Sequence, residues 1–245
     1  MRSTLKWFKS LYTSTAISLF LLHLVRRIFK IRVAFSYSQF GEDISLKALL
    51  GGNTESRKGF YVDVGCNHPI RLSNTFNLYL EGWSGIVIDA NKELIADFKK
   101  IRKNDIAICC PVSNEVREIT FYKSKVDSVS TIDEKTYLEW KELWKFDEAD
   151  FEKVNTRTLT SILDEAMPMG SKKIDLLCVD VEGHDYEVLL GLDFNKYKPE
   201  AIIVELFAKT IKEVFETDIY KYLNGFGYEL IWYSIHNGYF RLRKE

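Results

Sequence analysis

The sequence predicts an α/β protein with a mostly parallel, seven-stranded sheet that ends in an antiparallel hairpin. Three observations carry this. Short runs rich in β-branched and aromatic residues recur at 60–64, 85–89, 106–110, 175–180 and 201–205, a composition suited to strands buried on both faces. Segments with helical spacing of apolar residues separate these runs, and that alternation builds a parallel sheet with right-handed crossovers. The last two runs, 228–235 and 239–243, alternate as a hairpin whose turn is His236-Asn237-Gly238.

Length and composition set the frame. The chain has 245 residues and is 46% apolar, enough for one large domain or two small ones with a sizeable core. A net charge of -1 gives no global basic bias, so nucleic acid is not an expected partner. Cys66, Cys109, Cys110 and Cys178 lie in or beside apolar runs and form no C-x-x-C. They read as reduced, buried thiols of a cytosolic protein.

Residues 1–35 stand apart from the domain at 36–245. Residues 11–25 carry no charge. Arg2, Lys6 and Lys9 precede them, and Arg26, Arg27, Lys30 and Arg32 follow. The run falls short of the roughly 20 apolar residues of a spanning helix. Basic charge on both flanks sets no orientation, and Arg26-Arg27 makes a poor signal-peptide cleavage site. The favoured reading is a basic-apolar helix lying on a membrane surface through residues 5–32. A short signal anchor and a helix packed on the protein body are the alternatives. The expected location is the cytoplasm, with membrane attachment through this helix.

Within the domain, residues 42–50 read as a helix that starts with acids near its positive end and stops at Gly51-Gly52. The first strand, 60–64, follows. Residues 73–80 suit a helix closed by Gly82, and 85–89 the second strand. In 91–103, Leu94, Ile95, Phe98 and Ile101 fall at helical spacing before the third strand at 106–110. Residues 119–158 read as an insertion over the carboxyl face of the sheet, where insertions commonly cover and select substrate. It comprises a strand at 119–122, a polar turn, a helix at 134–149 and a strand at 153–159 that pairs with the first. Trp140 and Trp144 share a face of that helix, as local packing or as a sugar-stacking surface. A helix at 159–167, the fourth strand, a helix at 186–190, the fifth strand and a helix at 211–223 complete the body.

Four strands end in acids, Asp63, Asp89, Asp180 and Glu205. All stand at carboxyl ends, the edge where open α/β sheets bind ligands. In G-F-Y-V-D-V-G-C-N-H-P (59–69), Gly65 lets backbone approach a ligand closely. Asp63 beside it accepts from an amine or a hydroxyl and does not suit a phosphate. Asp89 follows that glycine by roughly the 20 residues at which an acid reads a ribose, and 110–114 would lie near the base of a nucleotide. Asp180, Glu182 and His184 form D-x-E-x-H after the fourth strand. If extended, their side chains point the same way, into the cleft. They are the catalytic candidates, with Glu182 or His184 as the better base. A divalent ion on these three is an alternative, as is a purely structural role for His184 at a helix start. The adopted reading uses no metal. His68 contacts substrate, or is a turn residue before Pro69.

S-Q-F-G-E-D (38–43), F-Y-V-D-V-G-C-N-H-P (60–69), G-I-V-I-D-A-N (85–91), P-V-S-N (111–114) and I-D-L-L-C-V-D-V-E-G-H-D-Y-E-V-L-L-G (174–191) resemble the FkbM family of S-adenosylmethionine-dependent methyltransferases. The resemblance covers roughly 36–206. Cys66 stands where alanine is usual and Asp89 where glutamate is usual, and neither removes a functional group. The resemblance implies a Rossmann-like methyltransferase fold, S-adenosylmethionine as cofactor, and methyl transfer to an oxygen. The acceptor would be a glycan or small-molecule hydroxyl. It implies that the segment carrying Gln39 folds over the cofactor. The cofactor contacts are then Gln39, Asp63, Gly65, Asn67, Asp89 and Ser113. An NAD-dependent enzyme is the first competing reading, and it lacks G-x-G-x-x-G after the first strand. An inactive, membrane-tethered binding protein of the same fold is the second.

Overall fold

The computed structural model describes residues 34–123, 130–132, 134–144, 150–168 and 173–243, with Leu21, Leu24, Val25 and residues 27–29. Eleven strands appear among the described residues. They are β1 (Phe60–Val64), β2 (Ser84–Asp89), β3 (Ile106–Cys109), β4 (Val112–Ser113), β5 (Glu118–Lys123), β6 (Asp150–Asn155), β7 (Arg157–Thr158), β8 (Leu176–Val179), β9 (Ala201–Glu205), β10 (Tyr228–Ser234) and β11 (Asn237–Leu242). The α-helices of the domain are α1 (Glu42–Leu49), α2 (Phe76–Leu80), α3 (Lys92–Ile101), α4 (Glu134–Trp144), α5 (Leu159–Ala166), α6 (Asp185–Leu190), α7 (Ile211–Glu216) and α8 (Asp218–Gly225).

Seven strands form one sheet in the order β10-β11-β9-β8-β1-β2-β3. The run from β9 to β3 is parallel. β11 pairs antiparallel with β9, and β10 with β11. This is the Rossmann-like methyltransferase layout, a parallel sheet finished by a hairpin.

The sheet is buried on both faces, and the strand period of two sorts its residues between two apolar layers. Val62, Val64, Ile86, Ile88, Leu177, Val179, Ile202 and Val204 pack with residues of α5, α6, α7 and α8. Tyr61, Val87, Leu176, Cys178, Ala201 and Ile203 pack with Leu46 and Leu49 of α1 and with Ile95 and Phe98 of α3. Local caps fix where helices begin. The Asn91 side chain accepts from Glu93 N at 2.9 Å to start α3. Thr158 Oγ1 accepts from Ser161 N at 3.2 Å to start α5.

Several boundaries differ from the sequence reading. The helix expected over 211–223 is two, because Thr217 is extended (ψ 147°) and its Oγ1 accepts from Tyr220 N to begin α8. The strand expected over 153–159 is also two. β6 pairs antiparallel with β5, whereas β7 pairs parallel with β4. Buried Thr156 stands between them, donating its hydroxyl to Glu115 O at 2.7 Å. The closing hairpin turns at Ile235-His236, since Ser234 pairs with Asn237. Gly238 lies inside β11, where a Cβ would come within 2.5 Å of Leu206 Cδ1. Its glycine serves close packing, not the turn. Cys66, Cys110 and Cys178 are buried, but Cys109 is exposed.

In the N-terminal segment, Leu21, Leu24, Val25 and residues 27–29 are helical and exposed. Most of the proposed membrane-surface stretch, 5–32, lies outside the described residues, as do residues 145–149 of the longer helix expected in the insertion and the side chains of Trp140 and Trp144. Among the described residues, no helix is long and apolar enough to cross a membrane.

Candidate active site

Register puts the four acids on one face of the sheet. Asp63 pairs with Val87 and with Cys178, and Cys178 pairs with Ile203. Two residues beyond Val87, Cys178 and Ile203 stand Asp89, Asp180 and Glu205. A period of two gives all four the parity of the face that α1 and α3 cover.

A cavity opens at this edge. Gln39, Asp63, Gly65, Asn67, Asp89, Asp180 and Glu182 line it. Cys110, Pro111 and Val112 form its side after β3, and Phe121, Ser130, Thr131 and Ile132 of the insertion complete the wall. The insertion is also tied to the turn after β8, where Thr131 Oγ1 donates to Glu182 O at 3.0 Å.

Gly65 has φ +77°, and a Cβ there would lie 1.7 Å from the carbonyl oxygen of Asp180. Only glycine fits, so the loop after β1 runs against the end of β8. Its backbone is held from the other side, with Gly65 N and Cys66 N donating to Ile88 O at 2.9 and 3.2 Å. Asp89 organises the neighbouring loop: Oδ2 accepts from Asn67 N at 3.0 Å and Oδ1 from Asn91 N at 2.8 Å. Asp63 is buried, and its Oδ2 accepts from Thr75 Oγ1 at 2.6 Å. Burial pushes its carboxyl up, while that hydrogen bond and the charge of Arg102 pull it down.

The D-x-E-x-H segment is not extended. Glu182 and Gly183 have φ of 56° and 95°, so the chain reverses and the expected common direction of the three side chains is lost. Asp180 and Glu182 line the cavity, whereas His184 does not. His184 is buried, with Nε2 2.9 Å from Ser113 Oγ and Nδ1 3.6 Å from Glu187 Oε2. It therefore braces β4 against the start of α6. Ser113 is buried in the same contact and also lies off the cavity; its neighbours Cys110, Pro111 and Val112 face it instead. His68 lies off it too, its Nδ1 accepting from Ile70 N and Arg71 N at 3.0 Å each, as a turn residue does.

The third member of the acidic cluster is Glu205. One oxygen each from Asp180, Glu182 and Glu205 lie within 4.8 Å of one another, and the Glu205 Oε2 atom is buried without a hydrogen-bond partner among the described residues. These oxygens offer a donor set to a divalent cation. Burial first, and then repulsion from neighbouring carboxylates, pushes Asp180 up to about 7, Glu182 to about 9 and Glu205 to about 10. The cluster exchanges protons as a unit. Asp185 closes the turn below it, accepting from Val181 N at 3.1 Å and Gly183 N at 3.2 Å. Burial pushes that carboxyl up to about 6 against those two bonds.

Some of the site had no sequence signal. Glu42 and Asp43 read as ordinary acids of a helix start, yet both are buried. Asp43 accepts from Ser36 Oγ at 2.7 Å, Tyr37 N at 2.8 Å and Ser38 Oγ at 2.9 Å, which holds the segment that carries Gln39 to the cavity. Thr131 and Ile132 come from a stretch without pattern.

No curated protein matches the chain. The description Methyltransferase FkbM domain fits residues 63–230, which span every strand end and the acidic turn that build this cavity. On that match, and with the sheet order expected of such enzymes, the chain belongs to the FkbM methyltransferase family.

Proposed function

We propose that this protein transfers a methyl group from S-adenosylmethionine to a hydroxyl of a glycan or small metabolite. The observation that carries the reading is the donor and acceptor chemistry of the cavity lining. Carboxylates at the ends of β1 and β2 flank a glycine that leaves no room for a Cβ. That set suits an amine and a ribose diol and repels a phosphate, which disfavours the dinucleotide alternative. The residues therefore fit the cofactor. Asp63 would hold its amine, and Asp89 the ribose hydroxyls. Gln39 would close over it, with Cys110, Pro111 and Val112 beside the base.

When bound, the cofactor supplies an electrophilic methyl carbon on a sulfonium. The protein's task is mainly positional, aligning the acceptor oxygen with that carbon. Asp180, pushed up to about 7, is poised to take the acceptor's proton near neutral pH. Glu182 and Glu205, pushed higher, hold protons that limit repulsion within the cluster. The insertion residues Phe121, Thr131 and Ile132 exclude water from one side. His184 and Ser113 support the turn from behind.

A labelled methyl donor offered with fractionated glycans and metabolites tests this. Alkali-stable label on an oxygen, lost in Asp180→Asn, is the expected product. Label confined to nitrogen or to alkali-labile esters would count against a hydroxyl acceptor. The reading includes attachment to a membrane surface through residues 5–32, supported by the uncharged run and its basic flanks. Co-sedimentation of the full chain with anionic vesicles is expected, and a chain starting at Ala34 should stay in the supernatant. Equal behaviour of the two would remove that part.

A further inference from the structure

Arg102 sits in Lys99-Lys100-Ile101-Arg102-Lys103, a stretch that looks like a solvated basic run. It is in fact fully buried. A buried guanidinium must have its N–H groups satisfied. Nε donates to Asp105 Oδ2 at 2.7 Å and Nη1 to Ser73 Oγ at 3.3 Å. Nη2 donates to the Tyr61 hydroxyl at 2.7 Å and to Thr75 Oγ1 at 3.0 Å. The Tyr61 hydroxyl donates its own hydrogen bond to Asp105. The rings of Tyr61, Tyr79 and Phe98 lie 5.4, 5.2 and 5.0 Å from the guanidinium carbon, close enough for cation–π contact.

Asp105 already pairs the charge. The bond to Thr75 does something else. A hydroxyl has one proton. With an Arg102 N–H at its oxygen, the Thr75 hydroxyl turns that proton toward Asp63 Oδ2, 2.6 Å away. Thr75 is fully buried, so solvent does not compete. Asp63 belongs to the cavity. The chain Arg102–Thr75–Asp63 thus runs from the closed interior to the ligand edge of the sheet.

We propose that Arg102 is a positioning residue of the cofactor site. By occupying the acceptor side of the Thr75 hydroxyl, it directs that proton onto Asp63 and orients the carboxylate toward the cavity. The inference rests on the reading of Asp63 as the contact for the cofactor's amine. Asp63 is flanked by Arg102 and Asp105 on one side, by Cys178 and Asp180 of the β8 strand end, and by Cys66 of the loop after β1. Burial pushes its carboxyl up, and Thr75 and Arg102 oppose that. Loss of the hydroxyl leaves burial and the neighbouring acids less opposed.

The test follows the carboxyl carbon of Asp63 by NMR in ligand-free, carbon-13-labelled protein, with the resonance assigned by its absence in Asp63→Asn. Thr75→Val keeps the shape and removes the proton; Thr75→Ser restores it. Wild type and Thr75→Ser should hold Asp63 ionised at neutral pH, and Thr75→Val should shift its midpoint up by about one pH unit, a tenfold change in proton affinity. S-adenosylhomocysteine should then bind Thr75→Val about tenfold more weakly at mildly acid pH and recover as pH rises. An unshifted midpoint in Thr75→Val overturns the proposal. So does an Asp63 that is protonated at neutral pH in the wild type, a result readable even if Thr75→Val does not fold. The titration needs no ligand. If it behaves as stated while wild type fails to bind S-adenosylhomocysteine, the cofactor reading fails and the relay stands.

Discussion

Gly65 and Asp180 meet across the carboxyl ends of β1 and β8, so closely that a Cβ on Gly65 would lie 1.7 Å from the Asp180 carbonyl oxygen. The contact joins the loop after β1, which lines the cavity, to the turn that carries Asp180 and Glu182. Gly65→Ala must both leave φ +77° and push that carbonyl away. We expect a loss of at least about 2 kcal/mol of stability and no detectable binding of S-adenosylhomocysteine. Thermal denaturation and calorimetry read both, and a variant that melts and binds like the wild type contradicts the geometry.

Asp89 holds the backbone N–H groups of Asn67 and Asn91 at the end of β2, where the ribose of the cofactor is proposed to bind. Asp89→Ala should weaken S-adenosylhomocysteine binding by about a hundredfold, near 2.7 kcal/mol. Asp89→Glu, which supplies the carboxylate usual in the family, should stay within about tenfold of wild type. Unchanged affinity in Asp89→Ala removes the ribose assignment.

The acidic cluster makes stability depend on pH. Asp180, Glu182 and Glu205 titrate higher in the folded chain, at about 7, 9 and 10, than the ordinary carboxyl range of the unfolded chain. Between those limits the folded state binds more protons, so their contribution is complete below about pH 4 and is lost as pH rises through the folded values. Glu182→Gln removes one of these charges. Its melting temperature relative to wild type should therefore increase from about pH 5 to about pH 9. A difference that stays flat, or that shrinks as pH rises, shows that the cluster does not titrate this way.

The acids and the histidine of D-V-E-G-H separate in role. Asp180→Asn should lower methyl transfer by about a hundredfold to ten-thousandfold. His184→Gln can keep a hydrogen bond to Ser113 and should cost less than about tenfold. Single-turnover rates decide between them; a larger loss in His184→Gln would return the base assignment to the histidine.

Asp43 gathers bonds from Ser36, Tyr37 and Ser38 and anchors the segment that brings Gln39 to the cavity. Asp43→Ala removes the buried acceptor that these donors share, which should destabilise by about 2 to 4 kcal/mol. Denaturant unfolding measures it, and an effect below about 0.5 kcal/mol would show that the segment is held by other contacts.

The parallel strands and their terminal acids were legible because burial on both faces leaves a clear compositional mark. The edge the acids share was legible from their place at strand ends; the face they share needed the register that aligns Asp63 with Val87 and Cys178, and Cys178 with Ile203. What could not be read was set by tertiary contact. The D-x-E-x-H spacing suggests alternation, but Glu182 and Gly183 turn left-handed against the insertion, with Gly183 leaving 2.6 Å between a would-be Cβ and Thr136 Oγ1. Arg102 sits among lysines and gives no local sign of burial. The Asn-Gly pair near the C-terminus imitates a turn signal because Gly238 is needed beneath Leu206.

Calorimetric titration of the ligand-free protein with S-adenosylhomocysteine tests the central claim most directly. One site of micromolar affinity is expected, weakened by Asp89→Ala and by Gly65→Ala, with no heat from NAD. Absence of binding to the folded wild type, or tighter binding of NAD, would contradict it.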